Sequence, residues 1–342
     1  MPPENMSPVE PLISIAIPTY NRAKRLEETL SRLSAHPEIF RDDIEIAISD
    51  NASTDETGNV VAAFVARTGK AIQFRRNDRN LGIDGNIHAV SRLATGRYLL
   101  LMSDDDLLLP GALTKLLALV NTTPDLLFCF VNGGSFKGPY DPRAVLPSIV
   151  NIDQPLVTQD PNELLVTIGV WCTFISSFFV ERRAWQEVPA PESFIGSDIY
   201  LTHILFRLLA RNRGRTSVVT AEQLLAARAE YTGNFRVFHA FGYSLMKLLT
   251  EDAPAIGLNA KAMRRIKLDV VRRALPPMVL MMRKREQKQR ALHLRELGPL
   301  LRYTWWEPLA WLFLLPVALL PSAAIEPLMQ LKKKLFKRSM FA

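Results

Sequence analysis

At 342 residues the chain has length for one large or two modest domains, and its 48% apolar content fits a packed core, which excludes a wholly disordered or fibrous class. The net charge of +8 hides an asymmetry: residues 261–342 carry 18 Lys/Arg against 5 Asp/Glu, or +13, so the other 260 residues sum to −5. A basic tail on a mildly acidic body asks for an acidic partner, phospholipid or nucleic acid. The two cysteines, Cys129 and Cys172, lie in apolar stretches, which reads as buried thiols in a reducing compartment rather than a disulfide framework. Met1 to Pro11 lacks a basic n-region and an apolar h-region, so no signal peptide is apparent and residence on the cytosolic side is expected.

In chain order, residues 12–17 read as a buried strand closed by Pro18-Thr19-Tyr20-Asn21. A helix over 23–35 places Leu26, Leu30 and Leu33 on one face. A second strand, 44–48, runs into Ser49-Asp50-Asn51-Ala52-Ser53-Thr54-Asp55, a stretch rich in turn and N-cap residues. A helix over 60–67 and a short third strand at 72–75 come next. Asn80-Leu81-Gly82 then turns into a helix over 84–94. Residues 98–102 form the fourth strand, 113–120 a helix and 126–131 a fifth strand. Alternation of helices with unbroken apolar strands predicts an α/β fold, a mostly parallel sheet covered by helices on both faces. Ligands of such sheets sit beyond the carboxyl ends of the strands, where Pro18–Asn21, Asp50–Asp55 and Asp104–Asp106 all fall. Neither Gly-x-Gly-x-x-Gly nor a phosphate-binding lysine loop is present, which argues against an ordinary dinucleotide fold and a P-loop enzyme. Asn132-Gly133-Gly134 reads as a turn.

Residues 141–160 are Pro- and polar-rich and read as a long loop. Residues 170–180 read as strands returning to the sheet. Glu192 to Asp198 precedes an apolar helix over 199–209, 218–226 reads as a strand or short helix, and 235–249 as a helix. The tail begins near Asp252. Met263, Ile266, Val270, Val271 and Ala274 share one helical face, opposite Lys261, Arg265 and Arg272, with Lys267 intruding on the apolar side. Pro276-Pro277 is expected to break that helix. A second helix over 278–297 carries Arg283-Lys284-Arg285. The apolar run that follows Trp305-Trp306 is short for a membrane span and is interrupted by Pro308, Pro316 and Pro321. It reads as a re-entrant or surface-lying hairpin. Trp305, Trp306 and Trp311 suit a headgroup boundary, and Lys332-Lys333-Lys334 with Lys337-Arg338 suit anionic lipid.

The most informative feature is Asp104-Asp105-Asp106, delivered by the apolar strand Tyr98–Met102. Adjacent carboxylates repel unless a cation, donors or water offset the charge. Such a cluster at a strand's carboxyl end suits a hard divalent ion and a metal-bound diphosphate. The competing reading is a polar strand-to-helix loop whose Asp caps the helix near Pro110-Gly111. The five histidines show no zinc spacing.

Four motifs together carry a resemblance. Ser14-Ile15-Ala16-Ile17-Pro18-Thr19-Tyr20-Asn21-Arg22, then Ile48 to Asp55, then Asn80-Leu81-Gly82, then Gly96-Arg97-Tyr98 with the acidic triplet resemble, in order and spacing over 12–115, a family-2 glycosyltransferase of the GT-A fold, with an abequosyltransferase-like branch among its placings. The resemblance weakens over 165–240 and covers nothing after about 250. It implies that Pro18 and Tyr20 flank the nucleotide base, with Asn21 and Asn80 in the same donor-binding set, and that Asp50 accepts a hydrogen bond from base or ribose. A Tyr packed beneath the loop and a plain helix cap are the alternatives for Tyr20 and Asp50. The resemblance also implies that Asp104 and Asp105 hold the diphosphate and Mn²⁺ or Mg²⁺, with Asp105 as direct ligand. Asp104 then turns toward ribose or metal-bound water, and Asp106 supports or caps. Ser103 stands where the first acid of the usual Asp-x-Asp pattern is often found. Asp198 falls where the family carries its general base, although Ser197 replaces the preceding acid; a helix N-cap is its other reading. Trp171 lines a sugar or acceptor pocket or packs in the core.

These readings converge on a non-processive, inverting, metal-dependent glycosyltransferase using a UDP-, GDP- or dTDP-linked sugar. The processive signature Gln-x-x-Arg-Trp is absent. A GT-A domain over 1–250 and a basic helical membrane-associating region over 251–342 are expected. The expected acceptor is a lipid-linked or cell-surface glycan at the cytosolic face of the plasma membrane. Anionic lipid is expected to bind through 261–342, peripherally or monotopically. No nucleic-acid partner is expected, because the cationic block has few interleaved aromatics, and oligomeric state is unreadable. The alternatives are a sugar nucleotidyltransferase, whose Gly-rich first loop is missing, and a basic membrane- or nucleic-acid-binding adaptor with a degenerate α/β domain.

Overall fold

The computed structural model describes residues 10–144, 146–229, 236–279 and 301–308, with a few single positions beyond. The chain divides into two compact units, one of Met1–Asp160, Phe174–Gly196 and Tyr200–Tyr231, the other of Pro161–Thr173, Ser197–Ile199 and Thr232–Ala342. The expected boundary at 250/251 therefore falls inside the second unit.

The first unit is built on an eight-stranded sheet. Its strands in chain order are β1 (Ile13–Thr19), β2 (Ile44–Asp50), β3 (Gln73–Arg76) and β4 (Tyr98–Leu101). To these are added β6 (Leu126–Phe130), β8 (Leu156–Thr158), β9 (Phe178–Glu181) and β10 (Thr216–Val219). Two-residue β5 (Leu107–Leu108), β7 (Gly133–Phe136) and β11 (Leu225–Arg228) form a second, smaller sheet in the order β5-β11-β7. The large sheet runs β3-β2-β1-β4-β9-β6-β10-β8. The β1–β2, β1–β4, β2–β3 and β6–β10 pairs are parallel, while β9 and β8 run antiparallel to their neighbours. Every residue of β2 and β4 is buried, which requires cover on both faces of the sheet.

The helices α1 (Ala23–Leu33), α2 (Thr57–Thr68), α3 (Gly82–Leu93) and α4 (Ala112–Thr122) supply connections between these strands. Leu26, Leu30 and Leu33 are buried, as their spacing predicts. Asp55 Oδ2 accepts from the backbone N–H of Ala23 at 2.9 Å, so the loop after β2 caps α1. Gly96 lies against β1: a Cβ there would stand 2.7 Å from Ser14 Oγ and 2.9 Å from its backbone N. Only glycine admits that approach. Cys129 and Cys172 are free and buried, and burial pushes the Cys172 thiol up to about 12.

Three local readings are corrected. Gly133-Gly134 is not a turn but the start of β7. A Cβ on Gly133 would lie 2.6 Å from the Leu225 carbonyl oxygen, so these glycines permit close pairing with β11. Residues 170–180 supply one strand only: Gly169–Thr173 and Ile175–Ser177 are 3₁₀ turns, and β9 begins at Phe178. Apolarity alone does not separate a buried strand from a buried turn. Residues 218–226 split between β10 and β11 in different sheets.

In the second unit, α5 (Pro161–Ile168) packs against the helix Ala260–Asp269, whose first turn is capped by the Asn259 side chain accepting from the N–H groups of Lys261 and Ala262. Residues 238–255 are helical, with π turns at Phe238–Ser244 and Leu248–Asp252. Pro276-Pro277 does not end the tail helix. A π turn spans Val270–Ala274 and helix continues over 275–279. Where the ladder already departs from i→i−4 bonding, a missing N–H removes less. Met263, Ile266, Val270, Val271 and Ala274 are buried in protein. Lys267 is buried among them, with Nζ 5.0 Å over the Trp306 ring and 3.9 Å from Glu307 Oε1. Burial lowers the Lys267 ammonium from its ordinary pKa, and Glu307 opposes that shift. Trp305 and Trp306 remain exposed. Among the described residues, no helix is long and apolar enough to cross a membrane. The expectations for Arg283–Arg285, Trp311, Lys332–Lys334 and Lys337–Arg338 lie outside the described residues.

Candidate functional site

Parallel pairing sets the site. Thr19 and Asp50 end β1 and β2 in register, and β4, on the other side of β1, releases the chain at Met102 into the acidic turn. Thr19 Oγ1 donates to Asp104 Oδ2 at 2.7 Å. Arg22, next to the first turn of α1, sends its Nη1 to Asp104 Oδ1 at 2.9 Å and to Asp105 Oδ2 at 3.0 Å. Ser103 Oγ donates to Asp105 Oδ1 at 2.5 Å. Thr29 of α1 donates from Oγ1 to the Asp104 carbonyl at 3.0 Å. The carboxylate side chains are 4% and 12% exposed and the Arg22 side chain 28%, so the guanidinium is the most solvent-accessible of the three.

Asp106 differs. Ser176 Oγ donates to its Oδ2 at 2.5 Å, and the Arg228 backbone N–H donates to Oδ1 at 2.8 Å. Both oxygens are engaged in a buried environment. Asp104 is as buried as Asp106, both 3% exposed, but its oxygens are taken by Thr19 and Arg22 rather than by Ser176 and the Arg228 backbone. Burial, with Asp105's charge adding to it, raises the Asp106 carboxyl to about 7. Burial also raises Asp104 to about 6, against the lowering by Arg22. Both folded values lie above the ordinary 3.8, so these groups favour the fold most at low pH and lose that contribution as pH rises from about 4 to about 7.

A divalent ion can be tested against this donor set. Among the described residues, no group of three or more His, Cys, Asp or Glu side chains could hold a metal ion. Two adjacent carboxylates are nevertheless the kind of partial, all-oxygen set that Mg²⁺ uses when substrate phosphates complete its shell. Asp105 and Asp104 fit such an ion by chemistry, and Arg22 currently neutralises them.

The donor-binding residues expected from sequence gather beside this turn in the first unit. Asp50 is 1% exposed; its Oδ1 accepts from Ser53 N–H at 3.0 Å and its Oδ2 lies 3.5 Å from Arg76 Nε. Asn21, at φ 51°, accepts on Oδ1 from Thr54 N–H at 2.7 Å, which locks the loop after β1 to the loop after β2. Tyr20 is 41% exposed, so its ring is offered to solvent rather than packed beneath the loop. Pro18 pairs in register with Ser49. Asn80 Oδ1 accepts from Asn51 Nδ2 at 2.8 Å and from Gly82 N–H at 2.8 Å, which binds the start of α3 to the end of β2. Asn80 thus shapes the rim through protein contacts.

Other members carried no sequence motif. Asn86 of α3 donates to the Thr19 and Ser49 carbonyls at 3.2 and 3.1 Å and staples β1 to β2 beneath the rim. The dense asparagines at 77, 80 and 86 were the available signal. Ser176 and Arg228 lie far along the chain from the triplet, and nothing local marks them.

Asp198 belongs to the second unit. Its backbone takes φ 63°, a left-handed conformation uncommon outside glycine, asparagine and aspartate. Arg236 Nη2 donates to Oδ1 at 2.9 Å, Arg236 Nε lies 2.8 Å from Oδ2, and His239 Nδ1 lies 3.0 Å from Oδ2. The carboxylate is therefore held by a two-point guanidinium contact and an imidazole, more than a helix cap requires. Trp171, in the 3₁₀ turn Gly169–Thr173 of the same unit, is half-buried.

The comparisons agree with this architecture. The family model for glycosyl transferase family 2 matches residues 14–182, the span that contains the rim, the triplet and Ser176. Abequosyltransferase RfbV from Salmonella typhimurium is 33% identical over 203 residues, covering 54% of this chain and 57% of that protein. A GalNAc(5)-diNAcBac-PP-undecaprenol beta-1,3-glucosyltransferase from Campylobacter jejuni is 32% identical over 111 residues, 32% of this chain and 35% of that protein. The chain thus spans a little over half and about a third of these two curated relatives. Staphylococcus aureus TarS in complex with UDP-GlcNAc superposes with a TM-score of 0.59 at 15% identity, over 85% of this chain and 81% of that one. The Pyrobaculum calidifontis mannosyltransferase PcManGT, in complex with GDP-Man and Mn²⁺, gives 0.53 at 16% identity, over 95% and 89%. These two likenesses speak for the GT-A architecture. With its motifs, its sheet order and the match in agreement, residues 14–182 form a glycosyl transferase family 2 domain.

Proposed function

We propose that this protein transfers a sugar, with inversion, from a nucleotide-sugar to a lipid-linked or cell-surface glycan at the cytosolic face of the membrane, and that the transfer depends on Mn²⁺ or Mg²⁺. The observation that carries the reading is the rim itself: the paired Asp104 and Asp105 carboxylates just after β4, with an exposed Tyr20 and a buried Asp50 at the neighbouring strand ends, in a family-2 domain. Relatives supply the substrate classes by name: a UDP-sugar and GDP-mannose with Mn²⁺ among the structures, and an undecaprenol diphosphate-linked glycan among the sequences.

In this reading Tyr20 and Pro18 receive the base, and Asp50 orients base or ribose. Asp105 and Asp104 would hold the cation, which when bound supplies charge neutralisation for the departing nucleoside diphosphate. Asp198 takes the proton from the acceptor hydroxyl as that oxygen attacks the anomeric carbon from the face opposite the leaving group. Arg236 contacts both Asp198 oxygens and orients the carboxylate.

Thermal-shift titration of UDP, GDP and dTDP with and without Mn²⁺ tests the donor half. One nucleotide is expected to raise Tm in a Mn²⁺-dependent way, by about 2–3 kcal/mol of added stability at a hundredfold excess over Kd. Asp105→Ala should lose the Mn²⁺-dependent part. No shift with any of the three, or an unchanged shift in Asp105→Ala, would count against the site.

The membrane half rests on composition and on the exposed Trp305 and Trp306, next in sequence to the Glu307 that pairs with an exposed Arg264. The protein is expected to sediment with anionic but not neutral vesicles, and to be released in high salt. Equal recovery with both vesicle types would remove this half without touching the first.

A further inference from the structure

We propose that Arg22 is the built-in counter-ion of the acidic pair: its guanidinium occupies the cation's place in the ion-free enzyme and leaves it when metal and nucleotide enter together. The inference rests on the proposed function and deepens it, because it assigns the order in which the site fills.

Arg22 sits between the end of β1 and the first turn of α1. Its backbone is committed to the start of α1, since the Arg22 carbonyl accepts from the N–H groups of both Arg25 and Leu26 at 2.9 Å. Its side chain instead turns to the sheet and sets one nitrogen, Nη1, between carboxylates of two different residues, at 2.9 Å from Asp104 and 3.0 Å from Asp105. The remaining oxygen of each carboxylate is taken by a hydroxyl, Thr19 for Asp104 and Ser103 for Asp105. Those two hydroxyls are fixed members of the sheet end and the acidic turn. Arg22 is the more exposed, long-stemmed member and the only cation among these contacts.

Physical consequences follow. Two carboxylates this poorly hydrated need a positive neighbour, and Arg22 is the cation that bonds both of them directly. A divalent ion arriving alone would meet a positive charge on the oxygens it needs, and so should bind weakly. If a diphosphate enters with the ion, the displaced guanidinium gains an anionic partner and the exchange becomes favourable. Metal and nucleotide then promote one another's binding, and the linkage is reciprocal. An arginine bound this way also keeps the empty site from collapsing through carboxylate repulsion.

The test uses the full chain and Mn²⁺ alone, followed by the electron paramagnetic resonance signal of the free aqueous ion at pH 8, with and without the nucleoside diphosphate chosen by thermal shift. Arg22→Met, which keeps much of the stem and removes the charge, is expected to bind Mn²⁺ at least tenfold more tightly than wild type in the absence of nucleotide. The factor by which nucleotide tightens Mn²⁺ should shrink correspondingly. Arg22→Lys, which retains a point charge, should lie between the two and covers the case in which the methionine variant is poorly folded. Arg22→Met with equal or weaker Mn²⁺ binding, while wild type still binds Mn²⁺ with nucleotide, would overturn the proposal and make Arg22 a scaffold of the site. If wild type takes up neither Mn²⁺ nor any nucleoside diphosphate, the proposed function fails first, and this inference with it.

Discussion

Asp198→Asn is expected to lower kcat by about 10²–10⁴-fold and to leave nucleotide binding close to wild type, the loss typical for removal of a positioned general base. The substitution is close to ideal for the purpose. Position 198 holds φ 63°, and asparagine accepts that conformation at least as readily as aspartate, so the backbone has no reason to move. Asparagine keeps one oxygen for Arg236, which now donates at 2.9 Å to Oδ1. Its amide can donate to His239 Nδ1 in the tautomer that leaves that nitrogen unprotonated. What it loses is the capacity to take a proton, together with the Arg236 Nε contact at the Oδ2 position, where the amide nitrogen cannot accept. A purely structural Asp198 predicts the opposite pattern: a lower Tm, with turnover per folded molecule almost unchanged. Steady-state kinetics beside a thermal melt separates the two. Near-normal kcat in a well-folded Asp198→Asn protein would remove Asp198 as base and leave it as the anchor for Arg236 and His239.

Much of the framework was legible because short-range signals determine it. The expected strand at 44–48 is β2 at Ile44–Asp50, and the strand at 98–102 is β4 at Tyr98–Leu101; β4 is a continuous apolar run and 44–48 of β2 is one broken only by Glu45, and both end in polar turns. The convergence of Pro18–Asn21, Asp50–Asp55 and the triplet followed from parallel strands sharing one carboxyl edge. What sequence could not give were partners decided by distant parts of the chain. Asp106 reads like Asp104 and Asp105 until β11 and Ser176 close over it. Arg22 is one of many basic residues until β1 and β4 become neighbours. Lys267 was visible as a breach in an apolar face, but the ring and carboxylate that receive it lie in a different helical segment. The prolines at 276 and 277 misled because they stand directly after a π turn at Val270–Ala274, where the regular i→i−4 ladder is already interrupted.

Arg228→Met is expected to destabilise the protein by about 2–4 kcal/mol, from a buried charge network losing one side while its partners stay buried. The Arg228 side chain is 2% exposed. Its Nη2 donates to Glu28 Oε2 on α1 at 2.8 Å, its Nη1 to the Gly138 carbonyl at 2.8 Å, and its Nε to the Asp105 carbonyl at 3.4 Å. The guanidinium carbon lies 4.6 Å from the centre of the Phe136 ring. One planar fork therefore ties α1, the loop after β7 and the acidic turn together, from the residue whose own N–H already holds Asp106. Methionine can fill much of the volume, but it leaves the Gly138 and Asp105 carbonyls without this donor. Glu28 is 32% exposed and recovers some solvation, which is why the expected cost stays below the 3–5 kcal/mol typical of a fully buried broken pair. Arg228→Lys restores charge but has only a point ammonium for partners in three directions, so it should recover only part of the loss. Chemical or thermal denaturation of the three proteins checks the order wild type, lysine, methionine. If methionine unfolds at the same midpoint as wild type, the contacts to Glu28 and the two carbonyls do not hold the turn, and the rigidity of the acidic pair must come from Arg22, Thr19, Thr29, Ser103 and Ser176.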